Sequence, residues 1–424
     1  MKYGLIGEKL GHSFSKEIHE KIALYEQIED YSYELKEISR DNLKDFILGK
    51  SFKGINVTIP YKEMVIPYID YVDEKALAIG AINTIVNKNN KLYAYNTDYY
   101  GLKALINKLD INAIEESKVL VLGTGGTSKT AKVVLEDLGV KKIIFVSRKV
   151  NEEDKIRNII TYDEVYTNHL DANIIINTTP RGMYPNDEEP LIDVKRFINL
   201  KGVVDVIYNP LKTRLIRDAE SLNIKAVNGL YMLVAQAVFA SNKFLDRICN
   251  DITIEIIYKS ILASKQNIVL IGMPGCGKST IGKELANALD KEYVDTDELI
   301  EKEINTEIKN FLSEENENEF RDIESKIVDK VSLLNNKIIS TGGGVIKRKS
   351  NIKSLLANGI IIFIDRKIDD IKTDDSRPLS SNIEKLKKLY NERYQIYNDV
   401  CDYKIINDKE IEDALNEIIK IIDK

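Results

Sequence analysis

The chain has 424 residues, 43% of them hydrophobic and 30% charged, and a formal net charge of −6, the balance of a soluble globular protein long enough for two or three domains. A negative balance excludes general affinity for nucleic acid or for anionic membranes, so any anionic ligand must be met by local basic groups. Cys249, Cys276 and Cys401 lack paired or metal-ligand spacing, His12, His19 and His169 are too few for a histidine-based metal site, and no apolar run is long enough to span a bilayer. The opening stretch from Met1 to Gly7 reads as a first strand without a signal-peptide core, and the expected location is the cytoplasm.

After that strand, Gly11-His-Ser13-Phe-Ser15 leads into a helical pattern from Lys16 to about Ile28, with Ser15 as the expected N-cap. Two hydroxyls at a helix N-terminus make a cradle suited to a carboxylate. A strand near Tyr31 to Leu35, a helix near Arg40 to Leu48 and a buried strand over Gly54 to Pro60 follow. Their alternation predicts an α/β domain with a largely parallel sheet. Four ordered motifs, Ser13-x-Ser15, Asn56-Val-Thr58-Ile-Pro60-Tyr-Lys62, Gly80-Ala-Ile-Asn83-Thr84 and Asn96-Thr-Asp98-Tyr-Tyr-Gly101, resemble the substrate domain of shikimate dehydrogenases. The resemblance implies that Ser13, Ser15 and Thr58 bind the substrate carboxylate and hydroxyls, that Asn83 binds a ring hydroxyl, and that Lys62 and Asp98 form the catalytic pair. Chemistry agrees with that pairing. Hydride delivery to a ketone creates an alkoxide that needs a proton donor within hydrogen-bond reach, and an aspartate beside a lysine holds the ammonium in place.

A helix from Leu102 to Leu109 leaves this domain, and Lys118 to Leu122 starts a new one as a strand running into Gly123-Thr-Gly125-Gly126-Thr127-Ser128-Lys129. Strand, glycine turn and helix together form a dinucleotide-binding arrangement, with the pyrophosphate expected on Gly123, Gly125, Gly126 and Thr127. Ser128 replaces the third glycine of the general pattern, a small residue that the shikimate dehydrogenase pattern also tolerates. The next strand, Lys142 to Val146, ends at Ser147-Arg148-Lys149, where basic rather than acidic side chains favour the 2′-phosphate of NADP over the bare ribose of NAD. The stretches Ile174 to Met183 and Val203 to Pro210 resemble the family's lining of the nicotinamide cleft, and Asn228-Gly229 to Gln236 its return to the substrate domain. By that resemblance Tyr208 and Gln236 contact substrate and Gly229 lies at the cofactor. Helices from Gly229 and from Asp251 to about Ala263 would close the fold.

The run from Asn267 to Ile271 enters Gly272-x-x-x-x-Gly277-Lys278-Ser279 ahead of a helical pattern from Thr280 to Leu289, which reads as a phosphate-binding loop. Gly275, Gly277, Lys278, Ser279 and Thr280 are expected around nucleotide phosphates, with Ser279 ligating magnesium. Asp295-Thr-Asp297, Phe320-Arg321-Asp-Ile-Glu324, Gly342-Gly343-Gly344, Ser376-Arg377-Pro378-Leu379 and Asn391-Glu-Arg393-Tyr394, in this order, resemble shikimate kinase. The resemblance implies that Asp295 helps bind the metal and that Asp297 contacts the acceptor hydroxyl as the base. It further implies that Arg321 and Arg393 clamp the substrate carboxylate, that Gly343 and Gly344 let backbone approach substrate, and that Arg377 reaches the transferring phosphoryl group from a lid. Residues 367 to 377 look short for such a lid and carry Asp369, Asp370, Asp374 and Asp375, with Lys372 aligned to the family's basic residue against adenine.

The expectation is thus an α/β chain of three parts. These are a substrate domain (residues 1–101 and 229–263), a Rossmann NADP-binding domain (102–228) and a P-loop kinase domain (267–424). It would use NADP(H), ATP and Mg2+ on small-molecule substrates, without nucleic acid or membrane partners, to reduce 3-dehydroshikimate to shikimate and then phosphorylate shikimate. The alternatives are a quinate- or shikimate-sensing regulator built from the same domains, and quinate as the substrate of the first half. Retention of Lys62, Asp98, Lys278, Asp297 and Arg377 argues against the regulator, and the hydroxyl side chains of Ser15 and Thr58 against quinate.

Overall fold

The computed structural model describes residues 2–11, 13–156, 158–184, 191–248, 251–313, 315–371 and 383–422. The chain divides into two compact units, Met1–Asn209 with Thr213–Ile261, and Pro210–Lys212 with Leu262–Lys424; each is described by itself. It is α/β throughout, as the alternating pattern predicts.

The first unit holds two six-stranded sheets. One is built from β1 (Tyr3–Gly7), β2 (Tyr33–Glu37), β3 (Gly54–Val57), β4 (Tyr71–Val72), β5 (Thr84–Lys88) and β6 (Lys91–Tyr95), in the order β2-β1-β3-β5-β6-β4. It is mixed rather than largely parallel, because β5 runs antiparallel to both β3 and β6. The tight turn between β5 and β6 explains this: Asn89 and Asn90 both take positive φ, 51° and 60°, the backbone a two-residue hairpin needs and one that asparagine tolerates. The second sheet, β7 (Lys118–Leu122), β8 (Lys142–Ser147), β9 (Ile159–Thr161), β10 (Ile174–Asn177), β11 (Gly202–Asp205) and β12 (Lys225–Asn228), is wholly parallel in the order β12-β11-β10-β7-β8-β9. Its central strands are continuous apolar runs because helices cover both faces; Val119 to Leu122 and Ile174 to Ile176 are fully buried. The helices Thr97–Asn107 and Gly229–Leu245 pack against each other, and a Cβ on Gly101 would lie 2.7 Å from the Met232 carbonyl oxygen.

The second unit is one parallel sheet of β13 (Asn267–Ile271), β14 (Glu292–Asp295), β15 (Lys337–Ser340), β16 (Gly359–Asp365) and β17 (Tyr403–Ile406), ordered β14-β15-β13-β16-β17. The C-terminal ends of β13, β14, β15 and β16 therefore meet at one edge, where ligands of open α/β sheets bind. Among the described residues no helix is long and apolar enough to cross a membrane.

Some local expectations change, among them the helix expected from Leu102 to Leu109, which runs Thr97–Asn107. The first helix runs Ser15–Tyr25, with Phe14 as N-cap and no side-chain capping bond. Ser15 is thus the first helical residue rather than the cap, and the Ser15 N–H instead donates to Ser13 Oγ at 3.3 Å. That helix also stops short of Ile28, since Gln27 turns to φ 51°.

Candidate active sites

In the first unit, the turns after β3 and the helix after β6 bring together most of the expected substrate residues. Thr58 follows β3 directly, and Lys62 lies four residues on. Asp98 sits in the first turn of the helix Thr97–Asn107, whose N-cap Asn96 accepts from the Tyr99 N–H at 3.2 Å and donates to the Ala81 carbonyl at 2.9 Å. An acidic side chain is favoured there by the helix dipole. The Lys62 ammonium donates to Asp98 Oδ2 at 2.6 Å, with the two side chains 30% and 20% exposed; the pair is open to solvent protons yet sheltered enough to be strong. Asn83 is buried, and its Oδ1 accepts from the Thr97 N–H at 2.6 Å. Phe14, between Ser13 and Ser15, meets the Tyr208 ring at a centroid distance of 5.7 Å. Burial raises the Tyr208 phenol above its ordinary pKa. Gln236 turns its amide onto its own helix, donating to the Leu233 carbonyl at 2.9 Å.

The cofactor side of that unit starts at the glycine turn after β7. Gly125 is the N-cap of the helix Gly126–Asp137, and a Cβ on Gly125 or Gly126 would meet no protein atom within 4 Å. Backbone N–H groups at a helix N-terminus with open space before them suit a pyrophosphate. Ser128 Oγ donates to the Gly125 carbonyl at 2.6 Å, so the residue in the third glycine's place braces the turn. Ser147, Arg148 and Lys149 lie at the end of β8, the last two exposed. Gly229 has a packing reason of its own: a Cβ there would fall 1.9 Å from the Val206 carbonyl oxygen.

In the second unit a cavity of about 800 Å3 is lined by the P-loop, Asp295, Asp297, Arg321, Gly342 to Gly344 and Arg393. The P-loop helix begins at Lys278, two residues earlier than expected. The Lys278 ammonium is buried and donates to the carbonyls of Gly272 and Met273, both at 3.0 Å. Ser279 Oγ donates to Asp295 Oδ2 at 3.0 Å, and Tyr293 Oη donates to the same oxygen at 2.7 Å. Among the described residues no cluster of three or more His, Cys, Asp or Glu side chains could hold a metal alone. A hydroxyl beside one carboxylate fits magnesium, which takes few protein oxygens and completes its shell with phosphates and water. Burial, and then the nearby Asp295, push the Asp297 carboxyl up to about 6.

Arg321 is buried and donates through Nη1 to both oxygens of Glu324 at 2.8 Å. Arg393 donates to the Gly343 carbonyl at 2.8 Å, which leaves its Nε and Nη2 buried without a partner. The three glycines make room for the site's own side chains: a Cβ on Gly342 would lie 2.5 Å from Asp297 Oδ1, and one on Gly344 2.3 Å from Arg321 Nη1. Lys372, Asp374, Asp375 and Arg377 lie outside the described residues, as does Cys249.

Comparison with known proteins decides the family. Residues 5–85 match the shikimate dehydrogenase substrate binding domain and residues 274–423 match shikimate kinase. The chain is 42% identical over 245 residues to the shikimate dehydrogenase (NADP(+)) of Clostridium beijerinckii, an alignment covering 56% of this chain and 89% of that protein. The chain belongs to the shikimate dehydrogenase family. Its last third is a shikimate kinase domain. Among solved structures, a chorismate mutase/shikimate 5-dehydrogenase fusion protein from Clostridium acetobutylicum is similar at 37% identity and TM-score 0.57, covering 61% of this chain and 96% of that one. A shikimate dehydrogenase in complex with NADP+ is similar at 29% identity and TM-score 0.53, covering 61% and 94%.

Sequence reading missed two residues of the shikimate kinase site. Arg366, directly after β16, lines the cavity, and its Nε is buried without a partner; a basic residue at the end of a strand beside the P-loop strand was the available signal. Asn407, after β17, donates to the Cys276 carbonyl at 2.8 Å and braces the loop. Nothing local marks that residue, since its partner is 131 positions away. In the dehydrogenase unit the buried Asn56, Thr84 and Thr97 belong to the hydrogen-bonded surroundings of Asn83.

Proposed function

We propose that this bifunctional shikimate-pathway enzyme runs its two reactions in sequence, reducing 3-dehydroshikimate to shikimate with NADPH and then phosphorylating the 3-hydroxyl of shikimate with ATP. The observation that carries the reading is that each half retains its reacting group beside the partner its chemistry needs: Lys62 on Asp98 in the first, Asp297 near the P-loop in the second.

In the first reaction the nicotinamide supplies the hydride. Lys62 delivers a proton to the carbonyl oxygen as it becomes a hydroxyl, and Asp98 holds the ammonium at the reacting oxygen. Both side chains are partly exposed, so Lys62 regains its proton from water. Ser13, Ser15 and Thr58 take the carboxylate and hydroxyls, Asn83 a ring hydroxyl, and Tyr208 and Gln236 further substrate atoms. Gly123, Gly125, Gly126 and Thr127 receive the pyrophosphate, Arg148 and Lys149 the 2′-phosphate with Ser147 beside them, and Gly229 backs the cofactor.

In the second reaction Asp297 accepts the hydroxyl proton as the shikimate oxygen bonds to the γ-phosphorus and the bond to the bridging oxygen of ADP breaks. Gly275, Gly277, Lys278, Ser279 and Thr280 hold the phosphates, and Ser279 and Asp295 the Mg2+. Arg321 and Arg393 clamp the shikimate carboxylate, and Arg377 completes the site from the lid.

The test is mass spectrometry of the purified protein incubated with 3-dehydroshikimate, NADPH and MgATP. Shikimate 3-phosphate is expected, with none formed when NADPH is omitted. Absence of both shikimate and its phosphate would overturn the reading. Accumulation of unphosphorylated shikimate would overturn its second half.

A further inference from the structure

The amide of Asn83 has a fixed direction, and a chain of buried hydrogen bonds behind it is aligned to keep that direction. Asn83 Oδ1 faces the Thr97 N–H at 2.6 Å, a group that can only donate, so this end of the amide must be the oxygen. It also meets the hydroxyls of Thr84 at 3.0 Å and Thr97 at 3.2 Å. The NH2 group is thereby left to face the ligand.

Behind Thr84 stands Asn56. Its Nδ2 lies 3.2 Å from the Asn83 carbonyl, a group that can only accept, so the nitrogen assignment is fixed here too. The second hydrogen of that NH2 goes to Thr84 Oγ1 at 3.0 Å. Asn56 Oδ1 then accepts from Tyr33 Oη at 2.8 Å, and the Tyr33 ring is stacked on His19 at 3.9 Å. With a lone pair of Thr84 taken by Asn56, the Thr84 hydrogen points toward Asn83 Oδ1 or toward Thr97 Oγ1 at 3.1 Å. In the second case Thr97 passes its own hydrogen on to Asn83 Oδ1. Tyr33, Asn56, Asn83, Thr84 and Thr97 are all buried, and reversing either amide would set like groups against each other, two donors at the Thr97 N–H or two acceptors at the Asn83 carbonyl, at a cost the interior does not repay.

We infer that Tyr33, Asn56 and Thr84 are positioning residues of the reductase site: they propagate one hydrogen-bond direction from a phenol to Asn83, so that this subsite presents only donors and selects a substrate oxygen that accepts. A ring hydroxyl bound here must send its own hydrogen elsewhere. The inference rests on the reading of Asn83 as a substrate contact.

Thr84→Val keeps the shape and removes the relay, whereas Thr84→Ser keeps the hydroxyl and removes a methyl group. Steady-state reduction of 3-dehydroshikimate separates the two roles. The expected result is a Michaelis constant for 3-dehydroshikimate raised about 3- to 10-fold in Thr84→Val, the range for one lost buried hydrogen bond, with kcat and the NADPH constant within about twofold. Thr84→Ser should bring the constant back toward the parent value. Packing alone predicts the reverse order, with the serine variant the worse, and that order overturns the inference; so does a valine variant equal to the parent. Should Thr84→Val fail to fold, Tyr33→Phe is made in a Ser15→Ala background, because the phenol also hydrogen-bonds Ser15; a 3-dehydroshikimate constant above that of Ser15→Ala is then the supporting result, and an equal one the overturning result. Asn83→Ala is run alongside: an unchanged Michaelis constant there refutes the substrate contact and the inference together, while a raised constant with parental Thr84→Val and Tyr33→Phe refutes the inference alone.

Discussion

The two sites treat their reacting groups in opposite ways. In the reductase half the proposed proton donor is satisfied: Lys62 lies 2.6 Å from Asp98, and both are partly open to water. In the kinase half the proposed base is deprived. Asp297 is pushed up to about 6 by burial and by Asp295, and Arg393 keeps two buried donors without partners. The difference follows from the work required. A donor must be held at the atom that receives its proton, and a neighbouring carboxylate fixes it there. A base must want its proton, and a clamp must lack an anion, so both are held short of partners by the fold.

Removing the satisfied donor should be the most damaging change. Lys62→Met is expected to lower kcat for reduction by about 10²- to 10⁴-fold, the usual range for a positioned acid, while phosphorylation of added shikimate by the same protein proceeds at the parent rate. Reduction surviving within tenfold would remove Lys62 from the role.

Asp297→Asn should come next, with phosphorylation down by about 10²- to 10³-fold. In the parent, kcat/KM for shikimate should fall as pH drops below about 6, where the carboxyl takes up its proton; a flat profile from pH 5 to 8 speaks against Asp297 as the base. The stability consequence has a definite sign. The folded pKa is raised above the ordinary value, so the favourable contribution of the protonated form is complete below the unfolded pKa and is lost as pH rises through about 6. Without ligands, thermal unfolding at pH 7 should therefore come at a higher temperature in Asp297→Asn than in the parent, with the gap closing toward pH 4. Equal midpoints at pH 7 would contradict the strained carboxyl.

Arg393→Lys keeps the charge but removes the fork that supplies the spare donors. The shikimate Michaelis constant is expected to rise about tenfold, the scale of one charge-assisted hydrogen bond; an unchanged constant would leave those donors without a ligand. The smallest change is expected at the cofactor. Arg148→Ser should raise the NADPH constant several-fold, roughly the worth of a partly exposed charged contact, and leave NADH nearly untouched. Equal effects on both would place the 2′-phosphate elsewhere.

How far these features could be read beforehand depended on the range of the interactions that build them. Lys118–Leu122 and Asn267–Ile271 were legible to the residue, because buried parallel strands are unbroken apolar runs ending at glycine turns. The strands β4 to β6 were less legible: β4 is only two residues long, and the Asn89-Asn90 turn is the one local mark of the hairpin between β5 and β6. Ser15 looked like a cap because its type favours that position, yet Ser13 accepts the exposed N–H. Lys62 meets Asp98, as the family resemblance implied, and Ser279 meets Asp295, the other residue expected at the metal. Asn407 and the Tyr33–Asn56–Thr84 chain were invisible, since each depends on contacts between distant segments, whereas Arg366 left its place at the end of a strand as a signal. Arg377 lies outside the described residues.

Lys278 holds two carbonyls of its own loop, those of Gly272 and Met273, and this has a consequence for turnover. On the proposed role of Lys278, nucleotide binding would be an exchange of partners, in which the ammonium gives up two neutral acceptors and gains an anionic one. As the γ-phosphoryl group leaves with the product, the loop's own carbonyls are waiting to take the lysine back. On that proposed role, the same contacts would oppose the arrival of ATP and favour the departure of ADP.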